Sequence, residues 1–457
     1  MRSEIIASGF RRSRWLAERQ LRSLRRFEIT LIDSLPLDIL ALMLDRPRHA
    51  VPEILVAGYF CLGLMPFIGI WVSPTSLNLM IALCGLYTTL TRFGCFPHFS
   101  GNGPLSWAVL ALASSMLLSV YFSKLPHDSL ELIVGMLPGV VLCLLIPLTH
   151  EPKRLALFIV IALFFTLIVL TVVCIKVSLL DNQPMDYKVF LVLNVALLQV
   201  PNDILLFTVF WPIVIWTVNS NKLLTQRQKN LVSFSYLTLI LALSVLVDSR
   251  SSFLLALCCA ISWLHAEHKF IASKFLLSIV AVGGFLVVVS PDFIDSLLAL
   301  PKSSQRLWIW IVSIKMMDPG NYFIGVGHGL FATTFEAARP YIETPEGLLS
   351  DPRRMGWAHN LFIEAWVERG FIGLLSLTWV NWALLKRLHV TGLKAPCHRA
   401  LMGVTLMLLI TSCFELTFAR AWVCAAYGCL IGAVLGLPTD TKGTKRTFIH
   451  NVYQTKS

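Results

Sequence analysis

Along most of this chain apolar residues come in long runs, and the polar residues collect in the gaps between them. Scanning for runs long enough to cross a bilayer gives about twelve. They lie near 52–72, 75–92, 104–122, 130–148, 155–176, 204–219, 231–247, 251–264, 273–290, 361–385, 400–415 and 421–437. A shorter run, Leu35–Leu44, cannot span and is expected in the membrane interface. Two longer polar stretches interrupt the pattern, Leu179–Asp203 and Pro291–His359. Within the second, Ser303–Met317 begins with cap-competent serines and is too polar and short to span. It predicts a helix resting at the surface with its tryptophans at headgroup level. Gly325–Gly329 reads as a flexible turn, followed by a segment carrying Glu336, Glu343 and Glu346. There is no internal repeat, no low-complexity tract and no soluble domain able to stand alone.

The expected fold class is an all-α polytopic membrane protein. Its parts are a basic tail with an interfacial helix (1–50), spans one to nine (51–290), a large loop (291–359), spans ten to twelve (360–438) and a tail (439–457).

Composition supports this reading, because 56% hydrophobic and 14% charged residues with a mean hydropathy of +0.72 exclude a soluble protein of 457 residues. The net charge of +12 does not point to nucleic acid. Its basic residues sit in the arginine-rich first 30 positions and in short loops, such as Lys153-Arg154 and Lys386-Arg387, which is the pattern that orients a membrane protein. Alternation from a cytoplasmic amino terminus puts the carboxyl tail inside and the 291–359 loop outside. The amino-terminal arginines read as a tail on anionic lipid, with no cleavable signal following. The 11 cysteines lie almost entirely in apolar runs and read as small buried hydrophobes.

Chemistry concentrates where the long loop enters the tenth run. His359-Asn360 is followed one turn apart by Glu364 and Glu368, and acids in a membrane segment cost roughly 2.5 to 3.5 kcal/mol to insert. They call for partners or a wet cavity. His359 reads either as a helix cap or as a hydrogen-bonded imidazole poised to act as a general base. Arg250, in Val247-Asp248-Ser249-Arg250, is either paired with Asp248 or a clamp for phosphate oxygens; Arg306 at the loop helix is similar. Arg353 and Arg354 are secondary phosphate contacts or plain solvated charges. His265, Glu267 and His268 lack a third strong metal ligand, and no Asp-x-Asp pair for a nucleotide-sugar metal occurs, so neither metal nor cofactor is expected.

These residues resemble the O-antigen ligase and polymerase superfamily. The resemblance rests on Asp248-Ser249-Arg250, Arg306-Leu307-Trp308, Gly325-Val326-Gly327-His328, His359-Asn360 with Glu364, Glu368, Gly370 and Gly373, and Pro201-Asn202-Asp203. It implies a GT-C-like, metal-independent transferase in the bacterial inner membrane, whose donor is a glycan on undecaprenyl diphosphate. By the same resemblance Arg250 and Arg306 hold the diphosphate, with Arg353 and Arg354 secondary, and His359 activates the acceptor hydroxyl. Asn360, Glu364, Glu368 and His328 support it. Ser251-Ser252 departs from the glycine that many members carry after the arginine. The acceptor is a lipid core in ligases and a second lipid-linked unit in polymerases. A transporter is the rival class, with polar residues expected near the midplane and two related halves.

Overall fold

Every apolar run that the structure describes is an α-helix, since only a helix satisfies its own backbone groups when all its faces meet apolar surroundings. The computed structural model describes residues 51–65, 74–93, 103–149, 152–176, 195, 197–198, 200–267, 301–343, 350, 354–391 and 395–437. The expected span at 273–290, Leu35–Leu44, both tails, Arg353 and most of Leu179–Asp203 lie outside the described residues.

The helices are α1 (Val51–Leu64), α2 (Pro74–Phe93), α3 (Gly103–Tyr121), α4 (Pro126–Leu145), α5 (Pro152–Ile175), α6 (Leu205–Val209) and α7 (Trp211–Ser220). There follow α8 (Gln226–Leu246), α9 (Arg250–Glu267), α10 (Pro301–Lys315), α11 (Phe331–Ala338), α12 (Leu361–Val390), α13 (Pro396–Ser412) and α14 (Ala421–Leu435). Among the described residues four segments are long and apolar enough to cross a membrane: α3, α5, Asn202–Ser220 and α8; α1 and α14 are among the shorter apolar helices. The chain is therefore an all-helical membrane protein, and the described residues include no strand beyond one isolated bridge, Val195 with Leu198.

Small residues set a close contact between α4 and α14. A Cβ on Gly428 of α14 would stand 2.0 Å from the Gly139 carbonyl oxygen of α4, and one on Gly139 would stand 2.5 Å from the Cys424 carbonyl oxygen. Gly139 with Cys143, and Cys424 with Gly428 and Gly432, recur every four residues, so one stripe on each helix lets the backbones meet. Buried Cys143 and Cys424 act there as small hydrophobes. At the far end of the same region Arg387 of α12 donates to the carbonyls of Leu435 and Leu437, capping α14.

The long loop has a core of its own. Trp308, Ile309, Val312 and Met316 form one stripe of α10 and bury against Phe331 and Phe335 of α11 and against Met355, Ala358 and Val367. On the opposite side of α10, Leu307 and Ile314 are exposed.

α12 is not continuous. Gly370 adopts φ 64°, ψ −163° within it, a conformation open to glycine because a side chain would clash. The carbonyls of Val367 and Glu368, released by the break, accept from Val326 N and Gly327 N at 2.9 and 3.1 Å, and Ser119 Oγ of α3 adds a 2.6 Å bond to Glu368 O. Gly325–Gly329 is thus a bound clasp and not the flexible turn that its glycines suggest. A Cβ on Gly325 would fall 2.3 Å from the Glu368 backbone. Beyond the break, Phe371–Val390 is about 30 Å long, the thickness of a bilayer core.

Candidate functional site

Four polar side chains, three of them from distant parts of the sequence, meet at Glu415, three residues past the end of α13 and fully buried. Arg306 Nη2 lies 2.5 Å from Glu415 Oε2, and its Nη1 donates to the Phe414 carbonyl at 2.9 Å. On the other oxygen, Asn202 Nδ2 donates at 2.6 Å, His359 Nδ1 stands at 3.3 Å and Arg420 Nη2 at 3.4 Å. Burial alone pushes this carboxyl up, but the hydrogen bond with His359 and the charges of His359, Arg306 and Arg420 outweigh it and bring the carboxyl down to about 2. Its surroundings therefore favour Glu415 as the anion, with the cations gathered around it.

Local structure explains how each group arrives. Arg306 is carried by α10, whose buried stripe fixes the helix against the loop core. His359 has φ 52°, in the left-handed region, immediately before the cap of α12. Asn360 Oδ1 accepts from the amides of Phe362 and Ile363 while its Nδ2 reaches the Cys413 carbonyl at 2.8 Å. Asn360 thus starts α12 and ties it to the 413–420 segment. The imidazole's carboxylate partner is Glu415, 56 residues away, and not either acid of α12. Arg420 stacks over Trp357 at 5.0 Å, and the rings of Trp357 and His359 lie 5.8 Å apart, edge to face.

A second layer sits behind Asn202. Ser249 Oγ donates to Asn202 Oδ1 at 3.1 Å and meets Ser252 Oγ at 2.7 Å. Asp203 binds Trp422 Nε1 at 2.7 Å and Arg420 Nη1 at 3.4 Å. Arg250, next to Ser249, pairs with Asp248 at 3.6 Å and is 23% exposed at its side chain, outside the groups touching Glu415. Asp248 has φ 52°; it and His359 are the two non-glycine residues with positive φ among those described. Such conformations cost about 1–3 kcal/mol and collect at functional sites. Arg354 is exposed and also outside the cluster.

Glu364 and Glu368 have partners of their own. Thr417 Oγ1 donates to Glu364 Oε1, and His328 Nδ1 meets Glu368 Oε2 at 3.1 Å. Arg369 is buried beside them with its guanidinium 5.3 Å from the Phe418 ring. The sequence reading missed Glu415 and Arg420. One signal was present: Glu415 is the sole acid between Gly370 and Leu437.

The described contacts come from one end of the bundle: the start of α6, the start of α9, α10, the start of α12 and the link from α13 to α14. Such an array offers partly exposed guanidiniums that can bind an anion and an imidazole that can accept a proton. Residues 234–378 match the family model of O-antigen ligase. That stretch takes in Arg250, Arg306, His328, His359, Glu364 and Glu368, and leaves Asn202, Asp203, Glu415 and Arg420 outside it. No curated protein matches the chain.

Proposed function

We propose, on the premise that the match over residues 234–378 assigns this chain to the O-antigen ligase and polymerase superfamily, that it transfers a glycan from undecaprenyl diphosphate to an acceptor hydroxyl. The reaction takes place at the outer face of the bacterial inner membrane, with both termini in the cytoplasm. The observation that carries this reading is the His359–Glu415 pair, flanked by Arg306 and Arg420 on the same carboxylate.

With Glu415 accepting Nδ1–H, the Nε2 lone pair of His359 is directed away from the carboxylate and is free to take a proton. The acceptor oxygen attacks the anomeric carbon, its proton passes to Nε2, and the bond from that carbon to the diphosphate oxygen breaks. The electron pair leaves on undecaprenyl diphosphate, and Arg306 stabilises the charge that develops there. Arg306 suits this role because two contacts anchor one edge of its guanidinium while its side chain remains 35% exposed. Arg250 supplies a second cation by exchanging exposed Asp248 for phosphate oxygen, and Arg353 and Arg354 add outer contacts. Arg420, 6% exposed, holds Glu415 and Asp203 in place. Guanidiniums supply the electrostatics, so the proposal includes no metal. The convergence at helix ends, instead of midway along them, favours a transferase over a transporter.

The test is complementation of a deletion strain, read as surface glycan on a gel. His359→Ala and Arg306→Ala are expected to abolish transfer at normal expression. Full activity in either removes the assigned roles. A lengthened lipid-linked glycan, in place of a glycan joined to another acceptor, identifies polymerase chemistry.

A further inference from the structure

Two hydrogen bonds join α12 to the segment that carries Glu415, and they share one register. Asn360 binds Cys413, and Glu364 accepts from Thr417; both pairs are separated by 53 positions. Asn360, the cap of α12, and Glu364 are one turn apart, and Cys413 and Thr417 are equally spaced along the 413–420 segment. Glu415 lies midway between the two clamps. Thr417 also fixes the turn that follows, because its Oγ1 accepts from Ala419 N at 3.1 Å and its carbonyl accepts from Arg420 N at 3.3 Å. Thr417 therefore stands between Glu415 and Arg420 with both its hydroxyl and its carbonyl engaged.

Glu364 is an expensive anchor. It is 3% exposed, and its second oxygen and all three guanidinium nitrogens of neighbouring Arg369 have no hydrogen-bond partner among the described residues. A site needing only a packed helix contact is served at lower cost by an apolar residue. The retained carboxyl group accepts from the Thr417 hydroxyl.

We infer that Thr417, held by Glu364, is a positioning residue that sets the His359–Glu415 contact, so that it governs turnover and not donor binding. This rests on the transferase reading given above. Misplacement of a catalytic group by about 1 Å costs on the order of a hundredfold in rate.

The experiment uses the full chain in proteoliposomes, with lipid-linked glycan extracted from the parent strain, and rates are expressed per folded protein from size exclusion. Thr417→Val, which keeps the shape and removes the hydroxyl, is expected to lower kcat by about 10- to 100-fold with donor KM within about twofold. Thr417→Ser is expected to restore most of it. Wild-type kcat in Thr417→Val, equal impairment in Thr417→Ser, or a change confined to KM overturns the inference. If Thr417→Val does not accumulate, Thr417→Ser against Thr417→Ala decides: Ser must exceed Ala, and equal rates overturn it. Glu415→Gln run in parallel separates the two levels. Its full activity sinks the transferase site itself, whereas an inactive Glu415→Gln beside a normal Thr417→Val sinks only the positioning role.

Discussion

Replacing Glu415 with glutamine keeps the shape of the side chain and removes the charge on which Arg306, Arg420 and His359 converge. In the folded protein the carboxyl has moved from 4.5 to about 2, so at about 1.4 kcal/mol per pH unit the surroundings favour the anion by about 3 kcal/mol. Glu415→Gln removes that preference and leaves Arg420 buried with one carboxylate, Asp203, a loss in the range of about 3–5 kcal/mol for a broken buried pair. Thermal unfolding in detergent is expected to show the drop at neutral pH. The sign of the pH dependence follows from the depressed value. The contribution is complete above pH 4.5 and disappears as pH falls toward about 2, so the gap between wild type and Glu415→Gln closes over that interval. The amide also fails to hold the imidazole tautomer by charge, and transfer by vesicles is expected to fall by about 10²- to 10⁴-fold. A variant with wild-type transfer and a stability gap that stays constant down to low pH refutes the reasoning.

Gly428→Ala drives a methyl group into the Gly139 carbonyl and is expected to cost about 1–3 kcal/mol, read as a lower unfolding midpoint. Gly370→Ala combines a positive φ with a Cβ 2.2 Å from the Phe323 backbone, and is expected to open the clasp and speed proteolysis in the 322–329 segment. Arg250→Ala is expected to raise donor KM by about 10-fold or more while folding is unchanged, because its pair with Asp248 is exposed and worth about 1 kcal/mol or less.

The helices were legible because each apolar run has one way to satisfy its backbone. Their ends were less so. The run read as 400–415 absorbs Glu415, whereas α13 stops at Ser412 and leaves the carboxylate in a turn. No local motif announces an acid whose partners are 56 and 109 positions away. His359-Asn360 was visible as a pair, but the pairing suggested that Asn360 and the two following acids would serve the imidazole. Asn360 instead caps α12, and the acids turn to Thr417 and His328. The break at Gly370 was hidden because a glycine inside an apolar run looks like any other small helix residue, and with it the reason for the Gly325–Gly329 clasp. For Arg250 the two readings were a pair with Asp248 and an anion clamp; the structure shows the pair, one residue from the Asn202 network.

The most direct measurement is single-turnover transfer by the purified full chain in proteoliposomes, following release of undecaprenyl diphosphate from lipid-linked glycan. The account predicts release by the wild type and none above background for His359→Ala, with donor still bound. Release by His359→Ala at the wild-type rate contradicts it.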